Sequence, residues 1–231
     1  MTTARKPIIA IDGPAGAGKS TLAAHLARKF GYLNLETGAM YRALALQAIE
    51  SDLDFDDEPP LLALAAQTRI KLEPQLEGNR VLLNGSDVSR RIRDVDVTAA
   101  ASRISVHPQL RVWMVDQQRA LGQQGGVVME GRDIGTVVFP NAEVKIFLDA
   151  APEVRGNRRY KQNVPAEVPI TEAAVIAEMK DRDARDRNRT ESPLRPAEDA
   201  VTIDSTQLTL PQVLARAEEI VTSHLAGAQV L

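Results

Sequence analysis

The sequence predicts an α/β protein: a five-stranded parallel sheet flanked by helices. Two observations carry that prediction. Five short, continuous apolar runs are bounded by turns or acidic residues, as strands buried on both faces of a parallel sheet are, and helical patterns alternate with most of them. Alternation of strand and helix is the signature of parallel α/β architecture.

The first run, Pro7 to Asp12, breaks into the glycine-rich Gly13 to Gly18 before a helical pattern from Lys19 to Phe30 that Gly31 is suited to end. Tyr32 to Leu35 reads as the second strand and Gly38 to Glu50 as the second helix. Farther on, Pro108 to Leu121 is helical, Gly126 to Met129 and Val144 to Leu148 are strands, and Pro152 to Lys161 and Thr171 to Asn188 are helices. Ala200 to Ile203 is the fifth core strand, and Pro211 to Leu225 closes the pattern as a helix. A sheet of this kind places its ligand beyond the carboxyl ends of the strands.

One region breaks the alternation. Thr68 to Glu73 and Arg80 to Leu83 read as two short strands joined through Glu77-Gly78-Asn79, with Pro59-Pro60 and the acidic Asp54, Asp56, Asp57 and Glu58 marking the entry. The expected organisation is a core of residues 1–53 and 98–231, with a small β-containing subdomain inserted at 54–97.

Composition excludes several classes. With 44% hydrophobic and 26% charged residues and a net charge of −3, the 231-residue chain is an ordinary globular protein and lacks the basic surface of a general nucleic-acid binder. It has no cysteine, so disulfides and thiolate chemistry are excluded, and its three histidines lack metal-ligand spacing. The apolar stretch after Arg5 and Lys6 is too short for a signal peptide, and no apolar run approaches the roughly 18 residues of a membrane span. A cytoplasmic monomer, with neither membrane nor nucleic acid as partner, is expected.

The chemistry begins at Gly13, Pro14, Ala15, Gly16, Ala17, Gly18, Lys19 and Ser20, which match G-x-x-x-x-G-K-[ST] between a predicted strand and a predicted helix. Such a loop turns backbone N–H groups onto phosphates at a helix N-terminus. Lys19 then neutralises the β- and γ-oxygens of ATP and the Ser20 hydroxyl ligates Mg²⁺. Thr21 completes the stretch assigned to ATP. No N-K-x-D guanine-reading motif accompanies the loop, which leaves a kinase for a small acceptor, with a nucleotide-dependent switch as the rival reading.

Arginines supply a second candidate site. Arg182, Asp186 and Arg189 fall at i, i+4 and i+7 on one helix face, with Arg185 on the flank. Two guanidinium forks and a carboxylate suit a phosphate and ribose hydroxyls. A solvated helix laced with ion pairs satisfies the same spacing. Arg155, Arg158 and Arg159 repeat it at i, i+3 and i+4, ahead of a loop-like Gln162 to Pro169. A lid over about 156–170, carrying these arginines onto the transferring phosphoryl group, is one reading; an exposed basic turn is the other.

Five stretches in order, IDGPAGAGKST, LETGAMYR, EGRDIGTVVFP, KIFLDA and RDARDRNR, resemble the bacterial cytidylate kinase family of nucleoside monophosphate kinases. The resemblance runs from Ile11 to about Thr206, and EGRDIGTVVFP and RDARDRNR are its discriminating parts. It implies MgATP as donor and CMP or dCMP as acceptor, with the 54–97 insertion as the monophosphate-binding part. Arg42, Arg132 and Arg189 would then grip the acceptor phosphate, Ser102, Arg111 and Asp133 would read the cytosine edge, and Arg182 and Asp186 would hold the ribose. Glu36-Thr37 stands where the family often has Asp-Ser; Thr37 keeps the hydroxyl and is counted with the acceptor site. Lys19, Arg155, Arg158 and Arg159 would stabilise the transferring group. From the residues alone, Asp133 could be a capping residue, Ser102 a helix-packing residue and Arg111 a surface residue.

Overall fold

A computed structural model describes residues 6–75, 78–162 and 171–227. The chain opens with strand β1 (Ile8–Asp12), helix α1 (Lys19–Phe30), β2 (Leu33–Glu36) and α2 (Thr37–Glu50). There follow α3 (Glu58–Gln67), β3 (Ile70–Pro74), β4 (Asn79–Leu83), β5 (Ser86–Asp87), a short 3₁₀ turn (Arg91–Arg93), α4 (Val95–Ile104) and α5 (Pro108–Gly122). The second half runs through β6 (Val127–Gly131), a π-helical turn (Ile134–Val138), β7 (Val144–Asp149), α6 (Pro152–Gln162), α7 (Glu172–Asn188), β8 (Val201–Asp204) and α8 (Leu210–Gly227). No helix among the described residues is long and apolar enough to cross a membrane.

The expected parallel sheet of five strands is present, in the order β2-β6-β1-β7-β8. Strand alternation divides β1 between two cores. Ile8 and Ala10 point into a cluster with α2, α4 and α5, while Ile9 and Ile11 point into one with α1 and α8. Because both faces of the strand are covered, its sequence reads as an unbroken apolar run.

The strands extend one or two residues beyond their apolar runs. Glu130 and Gly131 continue β6 in register with Ile11 and Asp12 of β1, and Glu36 continues β2 opposite Glu130. These acidic residues stay in the sheet because polar partners meet them at its carboxyl edge.

The segment 54–97 is less purely β than expected. It contains α3 and a three-stranded antiparallel sheet β3-β4-β5, and its expected end at 97 falls inside α4. Leu72, Val81 and Leu83 share one core with Met40 and Leu44 of α2, so the described residues of the segment pack into the main hydrophobic centre. The acidic entry is tied down by Arg103 on Asp56 and by Glu58, whose carboxylate accepts from the Gln109 and Leu110 N–H groups at the start of α5.

One side chain seats this sheet on the main one. The Asn79 amide accepts from the Glu36 N–H at 2.8 Å and donates to the Asn34 carbonyl at 2.7 Å, taking two backbone groups of β2 on the side away from β6. The expected lid falls partly on α6, and its residues 163–170 lie outside the described residues.

Candidate active site

The glycine-rich loop leaves β1 at Asp12 and returns as α1. Gly13, at φ +148°, stands where a Cβ would collide with the Leu148 carbonyl, so only glycine lets the loop lie against β7. Gly16, Gly18, Ser20 and Thr21 are exposed along the loop. Lys19, 5% exposed, donates from Nζ to the Pro14 carbonyl at 2.7 Å. Burial, reinforced by Arg132 and opposed by Glu130, lowers its pKa to about 7. An anion entering the loop would supply the countercharge that Lys19 lacks.

Two carboxylates flank this lysine. Glu130, at the end of β6, accepts from the Ser20 hydroxyl at 2.5 Å, and burial raises its pKa despite Lys19. Asp12 accepts from the Ile134 and Gly135 N–H groups at 2.8 and 2.7 Å, and burial pushes its pKa up to about 7 against those two bonds. Asp12 thereby pins the turn after Asp133 to the strand that carries the loop. Neither carboxylate is singled out by sequence reasoning, which sees them only as the ends of apolar runs.

The arginines of four elements converge beside Lys19. Asp186 of α7, 6% exposed, accepts from Arg132 Nε at 2.9 Å and lies 3.5 Å from Arg189 Nη1. Arg42 of α2 pairs with Glu36, which Arg93 approaches at 3.8 Å. Burial disfavours the Glu36 carboxylate, but Arg42 and then Arg93 outweigh it and hold its pKa below the ordinary value. Arg182 is brought to about 10 by burial and by the Arg132 charge. Arg42 Nε, Arg182 Nε and Arg189 Nη2 are buried and have no hydrogen-bond partner among the described residues. Unused buried donors on several guanidinium groups call for an anion with several oxygens.

A second network adjoins the arginines. Arg111, 2% exposed, pairs with Asp133, donates to the Ser105 carbonyl at 3.0 Å and lies 5.5 Å from the centre of the Tyr41 ring. It is therefore no surface residue. Ser105 donates to the Ser102 carbonyl, and the Ser102 hydroxyl accepts from Arg185 Nε at 3.3 Å. A polar wall results, with a carboxylate at one end and a hydroxyl at the other. The Thr37 hydroxyl is already engaged, donating to the Glu130 carbonyl at 2.7 Å.

The arginines of α6 have separate partners. Arg158 donates to the Ser205 carbonyl at 3.0 Å, just past the carboxyl end of β8. Arg159 is close enough to depress Arg182 electrostatically. Arg155 corrects the expectation of a free cation. It is 1% exposed and wholly committed, donating to the Ala150 and Ala15 carbonyls and to Asp183. Helical spacing alone could not reveal this, because the partners come from distant parts of the chain.

Comparison with known proteins gives the family. The family model described as cytidylate kinase matches residues 9–223. A cytidylate kinase of Syntrophotalea carbinolica is 49% identical over 94% of this chain and 92% of its own length. Those of Pasteurella multocida and Geobacillus thermodenitrificans are 45% and 48% identical, over 95% and 96% of this chain and 97% and 99% of theirs. A family match across both the glycine-rich loop and the arginine helix, with relatives near half identical over almost the whole chain, establishes that this chain belongs to the cytidylate kinase family.

Proposed function

We propose that the chain transfers the γ-phosphoryl group of ATP to the phosphate of CMP or dCMP, giving ADP and CDP or dCDP. The observation that carries this reading is the set of buried, unpartnered guanidinium donors on Arg42, Arg182 and Arg189 beside Lys19, with the Asp133–Arg111–Ser102 wall adjoining. An acceptor phosphate among those arginines brings its oxygen next to the donor loop. The oxygen is already anionic, so transfer needs no strong base and depends on positioning and charge neutralisation.

In this reading the Gly13 to Thr21 stretch holds the donor phosphates and Lys19 regains its proton on meeting them. Arg159 joins Arg182 beside the transferring group. Asp133 accepts from the cytosine amino group, Ser102 meets the base edge, and Arg111 orients the Asp133 carboxylate by pairing with it. The segment 54–97 belongs to the acceptor side, since Asn79 seats it on β2 and Arg93 reaches toward Glu36.

Among the described residues no cluster of three or more His, Asp or Glu side chains could hold an ion by itself. Ser20 and Glu130 nonetheless place two hard oxygen donors 2.5 Å apart beside the loop. That set fits magnesium, which takes few protein ligands and keeps water and nucleotide oxygens. Ser20 and Glu130 would hold it there, and it would supply charge neutralisation at the β- and γ-oxygens.

ADP release from MgATP, measured across a panel of nucleoside monophosphates, tests the proposal. CMP and dCMP should give the highest specificity constants. A higher constant for another acceptor would reassign the substrate, and ATP consumption unaffected by every acceptor would refute transfer.

A further inference from the structure

The carbonyl of Ala15, inside the glycine-rich loop, is gripped from outside. Arg155 of α6 donates from Nη1 to that carbonyl at 3.0 Å, from Nε to the Ala150 carbonyl at 2.8 Å and from Nη2 to Asp183 of α7 at 2.5 Å. In a planar trans peptide the carbonyl and the following N–H point in opposite directions. An Ala15 carbonyl held toward Arg155 therefore turns the Gly16 N–H away from it, to the open side of the loop. Gly16 has φ +72°, and glycine moves between such conformations at little steric expense, so this peptide plane is free to flip unless something fixes it. Helix α7 lies on the same outer side, because a Cβ on Gly16 would stand 2.6 Å from Met179 Cε.

We infer that Arg155 is a positioning residue for the donor nucleotide: it fixes the Ala15–Gly16 peptide so that the Gly16 N–H faces the donor phosphates. Through Asp183 it also ties the loop to α7, the helix that carries Arg182 and Asp186. The inference rests on reading Gly13 to Ser20 as the donor-phosphate loop, and it does not require CMP as acceptor. Arg155 acts through the backbone and touches no substrate.

The test is Arg155→Lys, in which one ammonium can keep the Asp183 pair but cannot reach Ala15, Ala150 and Asp183 together. Calorimetric binding without acceptor should show ADP and ATP weakened alike, by roughly tenfold or more, as loss of a hydrogen bond to a charged group predicts. The KM for CMP should stay within about twofold of wild type, since Arg155 touches no acceptor group. Unchanged ADP affinity with a fall in kcat would overturn the inference and make Arg155 a contact to the transferring group. Asp183→Asn, which leaves the Ala15 contact in place, should keep ADP affinity within about threefold. A loss there equal to that of Arg155→Lys would assign the effect to helix packing and reject the peptide-fixing role. Melting curves establish folding, and the doubly neutral Arg155→Gln with Asp183→Asn replaces Arg155→Lys if that variant does not fold. Should wild type release no CMP-dependent ADP while Arg155→Lys still loses ADP affinity, the acceptor assignment fails and the role of Arg155 stands.

Discussion

Replacing Asp186 by alanine should destabilise the protein and at the same time make it crave an anion. Its carboxylate lies 2.9 Å from Arg132 Nε and 3.5 Å from Arg189 Nη1, with Arg182 also acting on it. Burial works against the ionised form, but Arg132, Arg189 and Arg182 outweigh it and hold the pKa below the ordinary 3.8. A depressed carboxylate pKa contributes stability that is fully present above the unfolded pKa and disappears as pH falls through the folded one, so the whole effect is visible at pH 7. Breaking a buried ion pair costs about 3–5 kcal/mol, and the partial exposure of Arg132 places this one near 3 kcal/mol. At about 2 to 4 °C per kcal/mol for a chain of this size, Tm should drop by roughly 6 to 12 °C. Inorganic phosphate at 100 times its Kd returns about 2.7 kcal/mol, so it should restore most of the loss. Calorimetric melts of wild type and variant, with and without phosphate, measure both quantities. A Tm within about 2 °C of wild type, or a phosphate effect no larger than in wild type, would refute the reasoning that Asp186 holds the arginine cluster together. If Asp186 also meets the ribose 2′-hydroxyl, the CMP specificity constant should fall at least about tenfold more than that for dCMP; equal losses would place it on the 3′-hydroxyl or on the arginines alone.

Three other outcomes follow from the same geometry. Lys19, whose pKa burial lowers to about 7 in the free protein, should take up a proton when nucleotide binds, more at pH 8 than at pH 6, read by calorimetry in buffers of differing ionisation enthalpy. Lys19→Ala should abolish that uptake and lower turnover by roughly a hundredfold or more at saturating ATP, and near-normal turnover would remove Lys19 from the donor site. Asp133→Ala should lower the specificity constant for CMP more than that for UMP, and will also destabilise the fold because Arg111 is left buried without its carboxylate. Equal falls with both substrates would make Asp133 a support for the turn and not a reader of the base.

The main sheet and the donor loop were legible because each follows from local rules. The helix Lys19–Phe30 begins and ends where the glycines place it, and the five apolar runs are the five strands of the parallel sheet. Helix α4 was less visible although Val97, Ala100, Ala101 and Ile104 fall at i, i+3, i+4 and i+7: the helix straddles the expected end of the inserted segment at 97, and three consecutive alanines mark its apolar side only weakly. Asp12 and Glu130 look like punctuation in the sequence, since a carboxylate after an apolar run ordinarily signals the surface. Their partners, two N–H groups more than 120 residues away and a hydroxyl 110 residues away, exist only after folding. Arg155 shows the reverse case. Spacing grouped it with Arg158 and Arg159, while its actual environment was set by Ala15 and Asp183.

The seat of Asn79 on β2 bears on how the chain avoids sticking to its own kind. Strand β2 is one border of the main sheet, and a border strand offers free backbone groups on which a second molecule can polymerise. Here one side-chain amide occupies two of those groups, at Asn34 and Glu36, and so stands in for a sixth strand. The segment 54–97 is thus also a guard rail. Shortening or deleting it would leave an open template beside the exposed Leu33, with aggregation as the expected outcome.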